Sequence, residues 1–144
     1  MTDTRIEIRP EEWTDQHAAE VRAAFAGKAK YDTSGGLMDP VEGVRGGVFC
    51  RVFRDGEPVL WYVLVALTHD HTTEAEIALA HGRADVDLVA EVLPLIELQC
   101  RHFDAVTVTT RRKGLIKKLQ AAGYGMDAVT LRKRNKVNHA QVEQ

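Results

Sequence analysis

Three side chains of the kind that take up protons lie close together in the segment Glu74 to His81. Glu74, Glu76 and His81 carry two carboxylates and an imidazole, the groups most often used as general bases. Strict alternation predicts a strand over Glu74 to Ala80, with Ile77 and Leu79 on one face. Glu76 then shares the other face with Ala78 and Ala80. The alternative is that Glu76 is an ordinary exposed strand residue.

A second group of chemically active side chains is basic and lies near the C-terminus. Residues 1–110 carry ten Lys and Arg against nineteen Asp and Glu, whereas residues 111–144 carry nine against two. This basic part favours an anionic ligand or an acidic partner, or it is a solvated face. Nucleic acid is an unfavoured partner, because no aromatic residues are interleaved with these basic ones: Arg111, Arg112, Lys113, Lys117, Lys118, Arg132, Lys133 and Arg134.

The remaining reactive residues predict no metal site. Cys50 and Cys100 each lie in an apolar pattern and indicate reduced core cysteines. His69 and His71 flank Asp70 in a predicted turn, without a third ligand nearby in the sequence. The 144 residues contain no apolar run long enough to span a membrane and begin with a polar segment, so we expect a cytoplasmic protein without a membrane partner.

The elements that position these residues follow the order β-α-loop-β-β-β-α-β-α-β. Helical spacing covers Glu11 to Phe25, and Asp39-Pro40 can begin a short helical turn within a long glycine-rich connection. Arg54 to Glu57 is typical of a tight hairpin turn. We predict further strands over these ranges: Ile6 to Ile8, Val48 to Phe53, Pro58 to Thr68, Ala105 to Thr109 and Val129 to Arg132. We predict two further helices, one over 87–103 that is interrupted by Pro94 and one over 110–122 that is capped by Thr110.

The segment from Arg112 to Tyr124 resembles the signature near the end of the GNAT (GCN5-related N-acetyltransferase) domain. Ile116 and the Gly123-Tyr124 pair match that signature. The resemblance implies an α/β fold (α+β mixed sheet) with about six strands and helices on both faces. It places one domain over residues 1–134, followed by a polar tail over 135–144. Short, divergent phage-encoded GNAT-like proteins are similar in size.

The resemblance implies an acyl-CoA-dependent N-acyltransferase, with a coenzyme A thioester such as acetyl-CoA as donor and an amine as acceptor. Glu76 is then the best candidate for the base that frees the amine, and a backbone N–H near Ala80 polarises the thioester. Tyr31, Asp32 and Ser34 fall on the loop that shapes the acceptor site. The phosphates of the cofactor are expected at these residues: Ala80, His81, Gly82, Arg83, Ala84, Arg111 and Arg112.

Several positions depart from the family's pattern. Leu119 stands where the family commonly has a tyrosine that acts as general acid, and Arg112 replaces an asparagine. Asp85 and Asp87 lie in the phosphate-binding stretch, where we expect both to cap the following helix. The alternative implied by these departures is a catalytically inactive GNAT-fold protein with no cofactor, which binds a protein partner, for instance as a phage virion or assembly component.

Overall fold

A computed structural model describes residues 5–28, 38–44, 46–83 and 85–135 of the chain. Five strands form one sheet in the order in which they occur in the sequence. The first three neighbouring pairs are antiparallel, and β4 and β5 are parallel. The strands are β1 (Ile6–Glu11), β2 (Val48–Arg54), β3 (Glu57–Thr68), β4 (Thr73–Gly82) and β5 (Ala105–Val108).

The tight turn predicted between β2 and β3 is confirmed. Asp55 has φ 52° and Gly56 has φ 86°. Positive φ at both central residues defines the two-residue turn whose twist matches that of the flanking strands. Pro10 does not end the first strand as expected, because β1 is an edge strand in the described sheet and tolerates a residue without an N–H.

Three α-helices cover the sheet: α1 (Asp15–Phe25), α2 (Leu93–Gln99) and α3 (Lys113–Ala121). Helix α1 begins later than predicted, because Glu11 pairs with Phe49 in the sheet. A 3₁₀ turn at Glu42–Val44 follows Asp39, whose carboxylate accepts a hydrogen bond from the Val41 N–H at 2.8 Å. The expected short helical turn after Asp39-Pro40 is therefore present.

The helix predicted over 87–103 is divided in two. A π-helical turn, Leu88–Val92, precedes α2, and Pro94 lies in the first turn of α2. Proline lacks an N–H and clashes with the carbonyl four residues earlier, so it is tolerated only where a helix begins. The helix ends at Gln99 and not at Phe103.

The two faces of the sheet carry separate hydrophobic cores. On one face, Val21 of α1 packs with Val44, Phe49, Trp61 and Val63. On the other face, α2 and α3 pack against Cys50, Tyr62 and Ile77. Both cysteines are buried and free, as expected. The Tyr62 hydroxyl donates to Gln99 Oε1 at 2.6 Å, which satisfies the only polar atom of this buried side chain.

The C-terminal region differs from the prediction in two ways. Thr110 is not the N-cap of α3; the N-cap is Arg112, whose N–H donates to Thr110 Oγ1 at 3.0 Å. Val129 to Arg132 forms no strand, so the described residues contain five strands where about six were expected. Apart from Asn135, the predicted tail lies outside the described residues. In the part of the chain that the structure describes, no helix has the length and apolar character needed to cross a membrane.

Candidate functional site

The site is a gap in the sheet between β4 and β5. The two strands pair only from Glu74 with Ala105 to Ile77 with Val108. Strand β4 continues for five more residues to Gly82, whereas β5 ends at Val108 and the chain leaves toward α3. A cavity of about 1310 Å³ lies where the strands separate.

A β-bulge lies on β4 at the start of this gap. Val63 pairs with Leu79 and Leu64 pairs with Ile77, so Ala78 is one extra residue on β4. The bulge reverses the alternation beyond it: Ile77 packs on the α2–α3 side and Leu79 on the α1 side. The expectation that Ile77 and Leu79 share a face is therefore wrong.

The bulge also changes the surroundings of Glu76. Its neighbours Ala75 and Ile77 face the α2–α3 core, so Glu76 lies on the α1 side with Ala78, whereas Ala80 packs on the α2–α3 side. Glu76 therefore does not share a face with Ala80. Its carboxylate lines the cavity and accepts a hydrogen bond from Thr109 Oγ1 at 3.3 Å.

The cavity wall brings together seven of the eight site residues chosen from the sequence. Ala84 lies outside the described residues. The other seven all line the gap: Glu76, Ala80, His81, Gly82, Arg83, Arg111 and Arg112.

The lining combines apolar strand and helix residues with an excess of positive charge. Ile77, Ala80, Val108, Leu115 and Leu119 supply apolar surface. Asp39, Glu76 and Asp87 are the acidic residues of the described wall, and six are basic: Lys28, Arg83, Arg111, Arg112, Lys113 and Lys118. An apolar slot with a basic rim suits a ligand that has an apolar arm and anionic groups.

His81 lines the α1 side of the gap. Its ring centroid lies 5.8 Å from that of Trp61 and 6.4 Å from that of Phe25. Burial, together with the positive charge of Lys28, lowers the pKa of His81. The imidazole is therefore neutral at pH 7, the form that accepts a proton.

Asp87 is the N-cap of the π-helical turn, and its carboxylate occupies two of the backbone N–H groups there. Its Oδ1 accepts hydrogen bonds from the N–H groups of Val89 and Ala90, both at 3.1 Å. Its other oxygen binds Lys118 Nζ at 3.1 Å, and its own N–H donates to Glu91 Oε2 at 2.7 Å. The backbone hydrogen bonds and Lys118 lower the pKa of Asp87, so this cap is charged at neutral pH.

Asp85 is not a helix cap, contrary to expectation. Its carboxylate binds Arg83 Nε at 3.0 Å and Arg54 Nη2 at 2.7 Å. These two guanidinium groups, Arg83 first, lower the pKa of Asp85 to about 2. Arg54 comes from the end of β2, a pairing across 31 residues that no local pattern indicates. The consequence is that the charge of Arg83 is already partly neutralised.

No tyrosine hydroxyl lies in the described wall of the gap. Leu119 is buried at 7% exposure in the α2–α3 core and forms part of the wall. Tyr124 packs against the same core, and its hydroxyl donates to Glu97 Oε2 at 2.7 Å. Burial, followed by this hydrogen bond to a carboxylate, raises the pKa of Tyr124. Tyr124 is therefore a packed aromatic residue, as expected from the sequence.

Some functional candidates have no sequence signal. Lys28 lies just after α1 and lines the gap on the His81 side, and only the fold brings it there. Thr109 was expected to end a strand, and instead it orients the Glu76 carboxylate. Tyr31, Asp32 and Ser34 lie outside the described residues. In the described ranges, no group of three or more His, Cys, Asp or Glu side chains is arranged to hold a metal ion.

Comparison by sequence finds nothing: no family model and no curated protein matches the chain. Comparison by structure finds acetyltransferases. A possible acetyltransferase from Clostridium difficile 630 aligns over 92% of this chain and 99% of its own, with TM-score 0.62 and 10% identity. A GNAT family acetyltransferase from Staphylococcus aureus aligns over 90% and 98%, with TM-score 0.54 and 8% identity.

A third similar structure is an aminoglycoside N-acetyltransferase in complex with CoA. It aligns over 94% of this chain and 98% of its own, with TM-score 0.54 and 12% identity. In each case nearly the whole length of both chains is covered. The similarity therefore extends over the sheet and its helices, and not over one part of the domain. At such low identity it shows the fold: a mixed α/β sheet of the GNAT type, as the sequence resemblance implies.

Proposed function

Starting from the GNAT fold, we propose that the protein is an acyl-CoA-dependent N-acyltransferase with a divergent phosphate site. The observation that carries the proposal is the open gap between β4 and β5. Side chains of Ile77, Val108 and Leu119 line this gap without filling it, and a cavity of about 1310 Å³ remains. Two neighbouring strands that separate lose backbone hydrogen bonds of the ladder between them. A protein that used the fold only as a scaffold would therefore gain stability by closing the gap.

The residues of the gap fit an acyl-CoA in two respects. Beyond Ile77, the edge of β4 that faces β5 has no strand partner among the described residues. We propose that N–H groups of this edge bind the pantetheine arm and polarise a thioester carbonyl. The phosphates are proposed to lie against the basic rim formed by Arg83, Arg111 and Arg112, beside the end of β4 at Ala80, His81 and Gly82.

One part of the gap does not fit the diphosphate of CoA. The start of a helix binds phosphate through free N–H groups. Here Asp87 already accepts two of these hydrogen bonds and adds a negative charge. We therefore propose that basic side chains, and not this helix start, hold the phosphates. Binding through side-chain charges is screened by salt, so the affinity should fall as ionic strength rises.

The chemistry requires a base for the amine and a route for the leaving group. The thioester supplies the acyl group; the amine nitrogen bonds to its carbonyl carbon, the C–S bond breaks and the thiolate leaves. Glu76 is the proposed base, because it lies where β4 and β5 begin to separate and Thr109 holds its carboxylate. Leu119 offers no proton, but thiols are weak acids that ionise far more readily than alcohols, so the thiolate can leave and take a proton from solvent.

His81 is the second candidate for the base. It lies five residues beyond Glu76, about 16 Å along a strand, so the two side chains mark different ends of the gap. Glu76→Gln and His81→Gln each replace a proton-accepting side chain by an uncharged amide, and together they test at which end of the gap the base acts. The variant that lowers kcat about 100-fold or more identifies the base, and the other is its matched control.

Titration calorimetry with acetyl-CoA tests the proposal directly. We expect micromolar binding, near −8 kcal/mol, that weakens with added salt. Asp87→Gly frees two N–H groups and should bind more tightly, whereas Asp104→Gly, which removes a carboxylate that accepts the Thr73 N–H outside the gap, is the matched control. Absence of binding at millimolar acetyl-CoA in the wild type and in Asp87→Gly would refute the transferase.

A second candidate function rests on two residues. Leu119 stands in place of a general acid, and Asp87 occupies N–H groups that would otherwise bind phosphate. In this case the protein is a catalytically inactive GNAT-fold protein that binds a protein partner, and a phage virion or assembly component is the form that the family resemblance implies. This protein would hold no cofactor, so millimolar acetyl-CoA should give no heat and no shift in melting temperature, in the wild type and in Asp87→Gly alike. We propose a cytoplasmic protein in the first case and a phage particle protein in the second, with no membrane or nucleic-acid partner.

A further inference from the structure

Arg83 lines the gap just beyond the end of β4, and one edge of its guanidinium group is occupied. Its Nε and Nη2 donate to the two carboxylate oxygens of Asp85, at 3.0 and 2.9 Å. Its Nη1 lies 3.8 Å from Glu57 Oε2, beyond hydrogen-bond distance, and donates to no described residue. A guanidinium carries five N–H donors in a planar fork. The edge formed by Nη1 and Nη2 therefore keeps donors for an anion such as phosphate.

The carboxylate of Asp85 is shared by Arg83 and by Arg54, the last residue of β2. Arg54 Nη2 donates to Asp85 Oδ2 at 2.7 Å, the same oxygen that accepts from Arg83 Nη2. The side chain of Asp85 is 54% exposed, whereas that of Arg54 is 20% exposed. Arg54 lies on a strand that pairs along its whole length, so it gives Asp85 a rigid partner. Without Arg54, the described ion-pair partner that remains for this exposed carboxylate is Arg83 itself.

Arg54 also holds the π-helical turn that follows. Its Nη1 donates to Glu91 Oε1 at 3.3 Å, and Glu91 Oε2 accepts the N–H of Asp87 at 2.7 Å. A further connection runs through the backbone, where the Arg83 N–H donates to the Val59 carbonyl at 3.0 Å. The hairpin of β2 and β3 therefore fixes the chain between β4 and α2 at three points, and Arg54 supplies two of them.

The charge of Arg54 is compensated where it lies. Arg54 binds two carboxylates at once, and it does not form part of the described wall of the gap. A cation paired in this way exerts little direct attraction on a ligand in the gap, because its two partners oppose it and solvent screens the remainder. The influence of Arg54 on the gap therefore passes through the side chains that it holds, and Asp85 with Arg83 is the shortest route.

We propose that Arg54 is a positioning residue for the acyl donor: through Asp85 it fixes Arg83 so that the Nη1–Nη2 edge binds one phosphate of coenzyme A. This role rests on the proposed acyltransferase function and adds a residue outside the gap to the donor site. Arg83 touches the donor, and Arg54 acts through it. The role requires a guanidinium, because a planar fork holds Asp85 and Glu91 together, which the single ammonium of lysine does not.

Titration calorimetry with acetyl-CoA tests this role in four forms of the full chain: wild type, Arg54→Met, Arg83→Met and the variant with both substitutions. Arg83→Met should raise Kd about tenfold or more, as expected for one lost charge-assisted contact. Arg54→Met should raise Kd about fivefold or more, and the double variant should bind no more weakly than Arg83→Met alone. Losses that multiply in the double variant would overturn the proposal, because a residue that acts through Arg83 has no effect once Arg83 is replaced.

Two further substitutions separate position from charge. Arg54→Lys keeps the charge and should bind acetyl-CoA as weakly as Arg54→Met. In an Asp85→Asn background, Arg54→Met should change Kd less than about twofold, because the connection to Arg83 is already broken. Arg9→Met is the matched control, since Arg9 is an exposed arginine paired with Glu7 on β1, at the opposite edge of the described sheet. It should leave Kd unchanged.

Thermal unfolding of each variant identifies those that are folded at the temperature of the titration. If Arg54→Met is not folded there, Arg54→Lys takes its place in both backgrounds. Wild-type affinity in Arg54→Lys would overturn the proposal, and so would an equal loss of affinity in Arg9→Met. A wild type that binds acetyl-CoA and an Arg54→Met variant with the same Kd refute the role of Arg54 alone, whereas a wild type that does not bind refutes the proposed function as well.

Discussion

The first three strands and the β4–β5 pair are parts of one sheet with opposite properties. β2 pairs with its neighbours along its whole length, and its inward side chains Phe49, Cys50 and Val52 are completely buried. β4 and β5 share four residue pairs and then separate around a cavity. From this comparison we expect the stability of the domain to be concentrated where strand pairing is continuous, whereas α3 contributes Leu115 and Leu119 to the wall of the gap.

Polar contacts follow the same division. In the first region, Arg51 binds Glu11 and Glu20 through four hydrogen bonds of 2.9–3.2 Å and so ties β1, β2 and α1 together. In the second region, the ion pairs of Asp85 and Asp87 lie on the surface around the gap. Exposed pairs contribute little to folding. We therefore expect them to affect ligand binding more than stability.

The largest expected effect is a loss of stability from truncation in the first region. Phe49→Ala removes a completely buried ring that stacks on Trp61 at 5.2 Å and should cost about 3–5 kcal/mol of unfolding free energy. Leu115→Ala, in the half-buried wall of the gap, should cost less than about 2 kcal/mol. Urea unfolding measures both. Equal costs would show that the gap is as tightly packed as the continuous sheet.

Arg51→Met should destabilise the protein by about 1–2 kcal/mol at pH 7, because Glu11 and Glu20 lose their shared partner in a half-exposed site. Their hydrogen bonds to Arg51 lower the pKa of both carboxyls below 4.5. The folded form therefore holds its protons less tightly than the unfolded chain. The resulting stability is complete above pH 4.5 and is lost as the pH falls.

Unfolding at a series of pH values checks this sign. Between pH 5 and pH 3 the wild type should lose more stability than Arg51→Met, since the variant lacks the charge that lowers these pKa values. Arg83→Met, which removes a guanidinium beside the gap, is the control and should leave the unfolding free energy at pH 7 nearly unchanged. A parallel decline in wild type and Arg51→Met would contradict the role given to Arg51.

The smallest expected effects come from two glycines, one in the first turn of α3 and one just after its end, with opposite signs. Gly123 ends the helix at φ 98°, so Gly123→Val should cost about 1 kcal/mol or more. Gly114 lies in the first turn, and a Cβ there meets nothing within 4 Å. Gly114→Ala should therefore stabilise by about 0.5–1 kcal/mol. Thermal unfolding measures both, and a gain from Gly123→Val would refute the left-handed helix end.

Much of the fold follows from local patterns. The Asp55-Gly56 turn, the strand at Ala105–Val108 and the glycine end of α3 are confirmed, because turn chemistry and residue periodicity act over a few residues. Two predicted helix starts were wrong: the first helix begins after Glu11, at Asp15, and the second begins at Leu93, next to Pro94. At Glu11 the sheet took a residue that helical spacing also suits, and at Pro94 the missing N–H moved the start of the helix.

The candidate site was predicted in composition but not in geometry. Seven of the eight residues selected from the sequence line the gap. They could be selected because the resemblance to the GNAT signature implies a cofactor at these positions. The side on which each lies could not be predicted, because the single extra residue Ala78 reverses the faces of β4 beyond it. The same holds for Asp85, which was expected to cap a helix and instead binds Arg54.

The sequence by itself determined the order of the elements as far as α3, the buried cysteines, the hairpin turn and the residue types available at the gap, since these depend on local conformational preference and polarity. Only the tertiary structure decided that β4 and β5 separate after Ile77, that Lys28 and His81 face the same cavity, that Asp87 caps the π-helical turn and binds Lys118, and that Val129–Arg132 is not a strand. The physical reason is that each of these depends on contacts between residues far apart in the chain, whose distances no local pattern encodes.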